Sequence, residues 1–94
     1  MATAYIAEYA SIEGAPVEPR VTQQTVSTSG TSAQSAAFNA RTTYILISTP
    51  AAQAVCCLFA ASPTATTSHL RLPANGTYFF RVSPGQKVAL IDVT

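Results

Sequence analysis

HLRLPANGTYFFRVSPGQKVALIDV, residues 69–93, is the stretch whose reading decides the fold. Three short runs, 69–72, 77–82 and 87–93, are rich in aromatic and branched aliphatic residues. Such runs suit a pleated, half-buried surface and read as strands. Between them lie Pro73-Ala74-Asn75-Gly76 and Ser83-Pro84-Gly85-Gln86. Asn-Gly supplies the positive φ angles of a tight hairpin, and Pro-Gly fits the two central positions of a type II turn. The expectation is a three-stranded antiparallel meander at the C-terminal end.

Working outward, the same grammar recurs. Residues 42–48, TTYILIS, read as a central strand closed by Pro50, and the continuously apolar run 53–60 reads as a strand buried on both faces and ended by Ser62-Pro63. Residues 33–40 are ambiguous, since alanine favours helix while serine and asparagine do not, and are read as a short strand ending near Phe38. In residues 20–27, Val21, Gln23 and Thr25 alternate with Thr22, Gln24 and Val26, and a Ser/Thr/Gly loop follows. Residues 3–10 alternate too, with Tyr5, Ala7 and Tyr9 on one side and Ala4, Ile6 and Glu8 on the other, as a half-exposed strand does. Pro16 and Pro19 cannot donate to a ladder, so residues 13–19 read as an extended linker. About seven short strands in a chain of this size predict an all-β fold, a small antiparallel sandwich or barrel of jelly-roll-like type. Residues 20–94 form the domain, and residues 1–19 form an extended N-terminal arm that reaches a neighbouring chain.

Charge is divided by position. Glu8, Glu13 and Glu18 lie before Pro19 and Asp92 near the end, while Arg20, Arg41, Arg71, Arg81 and Lys87 hold all the positive charge between them. The central body therefore has no carboxylate for proton transfer or hard-metal ligation, which argues against most hydrolytic and metal mechanisms. Charged residues are only 10% of the chain and its formal net charge is +1, so little repulsion opposes association. Thirteen Thr, nine Ser and five Gln supply the polarity instead. The longest apolar run, 54–61, is far short of the ~20 residues of a helical membrane span. The first residues lack a basic segment and carry Glu8 early, which predicts no export signal.

No constellation for catalysis or cofactor binding emerges. His69 is the single histidine and has no acidic neighbour in sequence, so a strand-surface or packing role is expected. Gly14, Gly30, Gly76 and Gly85 are scattered singly, unlike a phosphate-binding loop. Asn75-Gly76-Thr77 matches a glycosylation sequon, but turn chemistry accounts for it. Cys56 and Cys57 are adjacent, so on a strand they point to opposite faces and are expected reduced and buried. No catalytic residue, metal or cofactor is expected. Arg71 and Arg81 flank an aromatic run and could stack on single-stranded nucleic acid. However, Phe79 and Phe80 must point to opposite faces, which disfavours a platform.

The ordered series TTYILIS, an apolar strand, Ser62-Pro63-Thr64-Ala65-Thr66, Leu72-Pro73-Ala74-Asn75-Gly76, then YFFRVSPGQKVALI from Tyr78 resembles small virion proteins of tailed bacteriophages over about residues 25–91. In that group a Leu-Pro-Ala turn leads into an aromatic strand and a Pro-Gly turn precedes the last strand. Gln86 stands where its members typically carry an acidic residue. The resemblance implies a non-enzymatic capsid decoration or cement protein, made in the host cytoplasm and located on the virion surface. Its expected partners are the major capsid protein and copies of itself, with no membrane, nucleic acid or small-molecule substrate. Neck, collar or tail placement is the alternative within the particle, and a carbohydrate- or nucleic-acid-binding module is the alternative of another class. The residues expected at the assembly interface are Tyr5, Ile6, Glu8 and Tyr9 of the arm with Arg71 and Arg81 of the body.

Overall fold

The computed structural model describes residues 2–11 and 20–93. Within them run β1 (Ala2–Tyr9), β2 (Thr22–Thr28), β3 (Ala33–Gln34), β4 (Tyr44–Ser48), β5 (Val55–Ala60), β6 (Leu70–Leu72), β7 (Thr77–Arg81) and β8 (Lys87–Asp92). They make two four-stranded antiparallel sheets, sheet one in the order β2-β1-β4-β7 and sheet two in the order β3-β8-β5-β6. No strand belongs to both sheets, so the architecture is a sandwich and not a closed barrel.

Alternation builds the core. Ile6, Val26, Ile45 and Ile47 of sheet one face Val55, Cys57, Leu72, Val88 and Leu90 of sheet two, and Phe38 joins the same cluster. The pairs β3·β8, β4·β7 and β5·β6 nest around the β5–β6 connection and fall alternately in the two sheets, with β1·β2 as the fourth pair. This is the strand order of a jelly roll in which the strand that ordinarily ends the chain stands first. Ala2 and Asp92 accordingly line one depression at the same end of the sandwich.

Two expectations need correction. Residues 2–9 are not an arm offered to a neighbour, because β1 lies inside sheet one, paired with β2 from Ala2 to Glu8 and with β4 from Tyr5 to Tyr9. Burial of Ala4 and Ile6 in the chain's own core is the reason. The rest of the expected arm, residues 12–19 with its prolines, lies outside the described residues.

The C-terminal meander is not formed either, although its turn is. Gly85 has φ +83°, and the Gln86 N–H donates to the Ser83 carbonyl at 3.2 Å, as a type II turn requires. Yet β7 and β8 belong to different sheets. Phe80 and Val82 meet the cluster from one side while Val88 and Leu90 belong to it from the other, so arching across the core buries the apolar face of both strands. The arch is pinned laterally by Phe38, whose N–H donates to the Gln86 carbonyl at 2.8 Å and whose carbonyl accepts from Gly85 N–H at 3.1 Å. That role also explains why the strand expected to reach Phe38 is only Ala33–Gln34. At the other connection Asn75 alone takes a positive φ, 55°, which is short of the two that a type I′ hairpin needs. There the Asn75 N–H donates to the Pro50 carbonyl and the Gly76 N–H to Thr49 Oγ1, each at 2.8 Å, and the chain passes from sheet two to sheet one.

Candidate functional site

The outward faces of the two sheets differ, and that difference locates the site. On sheet two, Cys56 and Ala89 project away from the core, yet they are 1% and 0% exposed. The β5–β6 connection lies over them. Gln34 Nε2 donates to the Pro63 carbonyl at 2.7 Å, Ala65 N–H donates to Ser32 Oγ at 2.8 Å, and the Cys56 thiol approaches the Thr67 carbonyl at 3.7 Å. Pro63 and Ala65 are themselves buried. Sheet two is thus covered by its own chain, and both cysteines are free and buried, Cys56 beneath this cover and Cys57 in the core. Burial, and after it the adjacent Cys56, pushes the Cys57 thiol up to about 11.

Sheet one has no such cover among the described residues. Register places Gln23, Ala7, Leu46 and Phe79 in one row across its outer face, with Thr25, Tyr5, Ser48 and Thr77 in the row beside it. Tyr5 is 60% exposed and Phe79 48%, two of the three large apolar side chains that stand most in solvent among the described residues. Ala7, small and flanked by larger residues, floors a groove of about 440 Å³ lined also by Tyr5, Arg20, Gln23, Leu46 and Ser48. Arg20 is held in place there. Its Nη1 donates to Gln23 Oε1 at 2.9 Å, and its guanidinium lies 5.9 Å from the centre of the Tyr9 ring.

The residues expected at the interface are divided by this geometry. Tyr5 stands on the bare face, and Arg81 shares that face at the edge strand β7. Tyr9 points the same way but is buried, under Arg20. Ile6 belongs to the core. Glu8 also turns inward and is 1% exposed: its Oε1 accepts from Asn39 N–H at 2.9 Å and Thr42 Oγ1 at 2.7 Å, and its Oε2 accepts from Gln24 Nε2 at 3.0 Å. A carboxylate with three neutral donors is a fastening inside the sandwich, not a contact for another chain. Arg71 lies on sheet two, so it does not share a surface with Arg81.

The bare face offers aromatic area, amide and hydroxyl groups and a guanidinium. His69 is on the other sheet's side, in the β5–β6 connection, where its Nδ1 accepts from Thr66 N–H at 3.0 Å. Among the described residues no group of three His, Cys, Asp or Glu could hold a metal ion. No protein-family model, curated protein or solved structure matches the chain. Ala7, Leu46, Gln23 and Phe79 were not anticipated as site residues. The signal was present in the alternation of residues 3–10, but it gains meaning only once β1 is known to lie between β2 and β4.

Proposed function

We propose that this chain is a non-enzymatic assembly protein of a phage particle, a capsid decoration or cement protein that binds through the outer face of sheet one. The observation that carries the reading is the contrast between the covered sheet and the bare one, because an apolar, weakly charged face left open on a small protein marks a contact surface. The jelly-roll strand order is common in viral capsid domains and lectins, an analogy of fold that supports the reading without carrying it. The mechanism is avidity: many copies each bury modest area on a shell, and their sum resists displacement.

The test is quantitative protein analysis of purified particles. Decoration requires copies in proportion to the shell subunits, and Tyr5→Arg should strip them. A single ring's worth of copies supports a neck, collar or tail position instead, and absence from particles removes the reading. A carbohydrate-binding role has one observation in its favour, the groove in which Tyr5 lies beside Gln23, Arg20 and Ser48. Glycan binding lost on Tyr5→Ala would favour it.

A further inference from the structure

The four sheet edges are not alike. β3 is two residues long and β6 three, too short to template a neighbour. Beside the β2 edge the Gln24 side chain accepts from Ala36 N–H at 2.8 Å and donates to the Ala36 carbonyl at 3.3 Å, which fastens residue 36 next to that strand. β7, Thr77-Tyr78-Phe79-Phe80-Arg81, has no such device: no proline, no bulge, no inward charge and no covering segment among the described residues.

Which backbone groups β7 leaves open follows from its register. Val82 N–H donates to the Thr43 carbonyl and the Gly76 carbonyl accepts from Thr49 N–H, so the even-numbered residues turn their backbone groups toward β4. Thr77, Phe79 and Arg81 turn theirs away, and the same residues carry the outward, exposed side chains.

We infer that this edge pairs with β7 of a second copy, antiparallel and centred on Phe79. That register sets Phe79 against Phe79 and each Thr77 against Arg81 of the other copy, which satisfies the open groups with about six inter-copy backbone hydrogen bonds. It stacks two exposed aromatic rings and brings no like charges face to face. With a net charge of +1 the copies do not repel strongly. Antiparallel edge pairing is isologous, with its two-fold axis perpendicular to the sheet, so it closes at a dimer. Both bare faces then lie on one side as a single eight-stranded surface, bivalent toward a shell. The inference rests on the assembly reading and names its first partner.

The full-length chain, followed by sedimentation velocity over a concentration series, provides the test. The parent should dimerise. Phe79→Lys removes the ring, and Thr77→Pro removes an outward N–H without touching the β4 ladder. Each should raise the dissociation constant about tenfold or more while circular dichroism stays unchanged, and Arg71→Glu on sheet two should leave it alone. A parent that stays monomeric, or a dimer indifferent to both edge variants, overturns the inference. A monomer that still coats purified heads would remove the edge contact and leave the assembly reading standing. A dimer formed by this edge that binds no head would do the reverse.

Discussion

The two outer faces of this sandwich solve the same problem differently. Sheet two hides its outward Cys56 and Ala89 under the β5–β6 connection, fastened by Gln34 and Ser32, whereas sheet one leaves Tyr5, Leu46 and Phe79 open. A chain of 94 residues has little core, burying only about 60% of the surface its unfolded form exposes, so apolar area left in water is a real loss of stability. The covered face shows that the chain has the means to close a sheet. Among the described residues the other sheet carries no such cover, and the proposed contact rests on that contrast.

The largest expected effect comes from placing the same charge on each face. Cys56→Arg should destabilise by about 3 kcal/mol or more, or force the covering segment off, because the guanidinium would be buried without a partner. Tyr5→Arg should change stability by no more than about 0.5 kcal/mol. Chemical denaturation of both proteins measures the difference, and equal losses would erase the contrast between the faces.

Next in size is the inner side of sheet one. Glu8→Gln should destabilise by about 2 kcal/mol, since an amide has one acceptor oxygen and turns an NH₂ group toward groups that already donate. Its denaturation midpoint, compared with that of the parent, is the check. A more modest loss, about 1 kcal/mol, is expected for Gln34→Ala, which removes one fastening of the cover. The more telling readout there is Cys56, whose thiol should react faster with a disulfide reagent in the native state.

The last effect vanishes at neutral pH and concerns Cys57, which faces the core between the sheets. The Cys57 thiol is raised from 9.0 to about 11 in the folded protein, so the unfolded chain loses this proton first as pH rises. Its contribution to stability is complete below about pH 9 and is lost progressively toward pH 11. Denaturation midpoints of the parent should fall across that window more than those of Cys57→Ala.

Local chemistry made the strands legible and left their partners hidden. Alternation in residues 3–10, the β-branched run at 42–48 and the Pro84-Gly85 turn all stand where they were expected. The arm and the meander failed for a shared reason: whether a turn makes a hairpin or an arch, and whether a terminal strand pairs at home, depends on contacts far apart in sequence. Phe59 with Phe80 across the core, their ring centres 5.0 Å apart, and Ile6 with Ile47 across β1 and β4, decide those questions, and no four-residue motif contains them. Glu8 misled most directly. In an alternating strand a glutamate signals the wet side, but here Gln24, Asn39 and Thr42 supply the donors that let it face inward. Tyr5 was expected at an interface as part of an arm; it stands on the outer face because its parity is opposite to that of Ile6, and its companions Leu46 and Phe79 come from strands that only the fold places beside it.

Hydroxyl-radical footprinting of the isolated chain and of the chain in purified particles tests the central claim most directly. The account predicts that oxidation of Tyr5, Leu46 and Phe79 falls on assembly, while Leu70, equally exposed but on sheet two, is oxidised as before. Protection of Leu70 with Tyr5 and Phe79 unchanged would contradict it and place the contact at the β6 edge of sheet two.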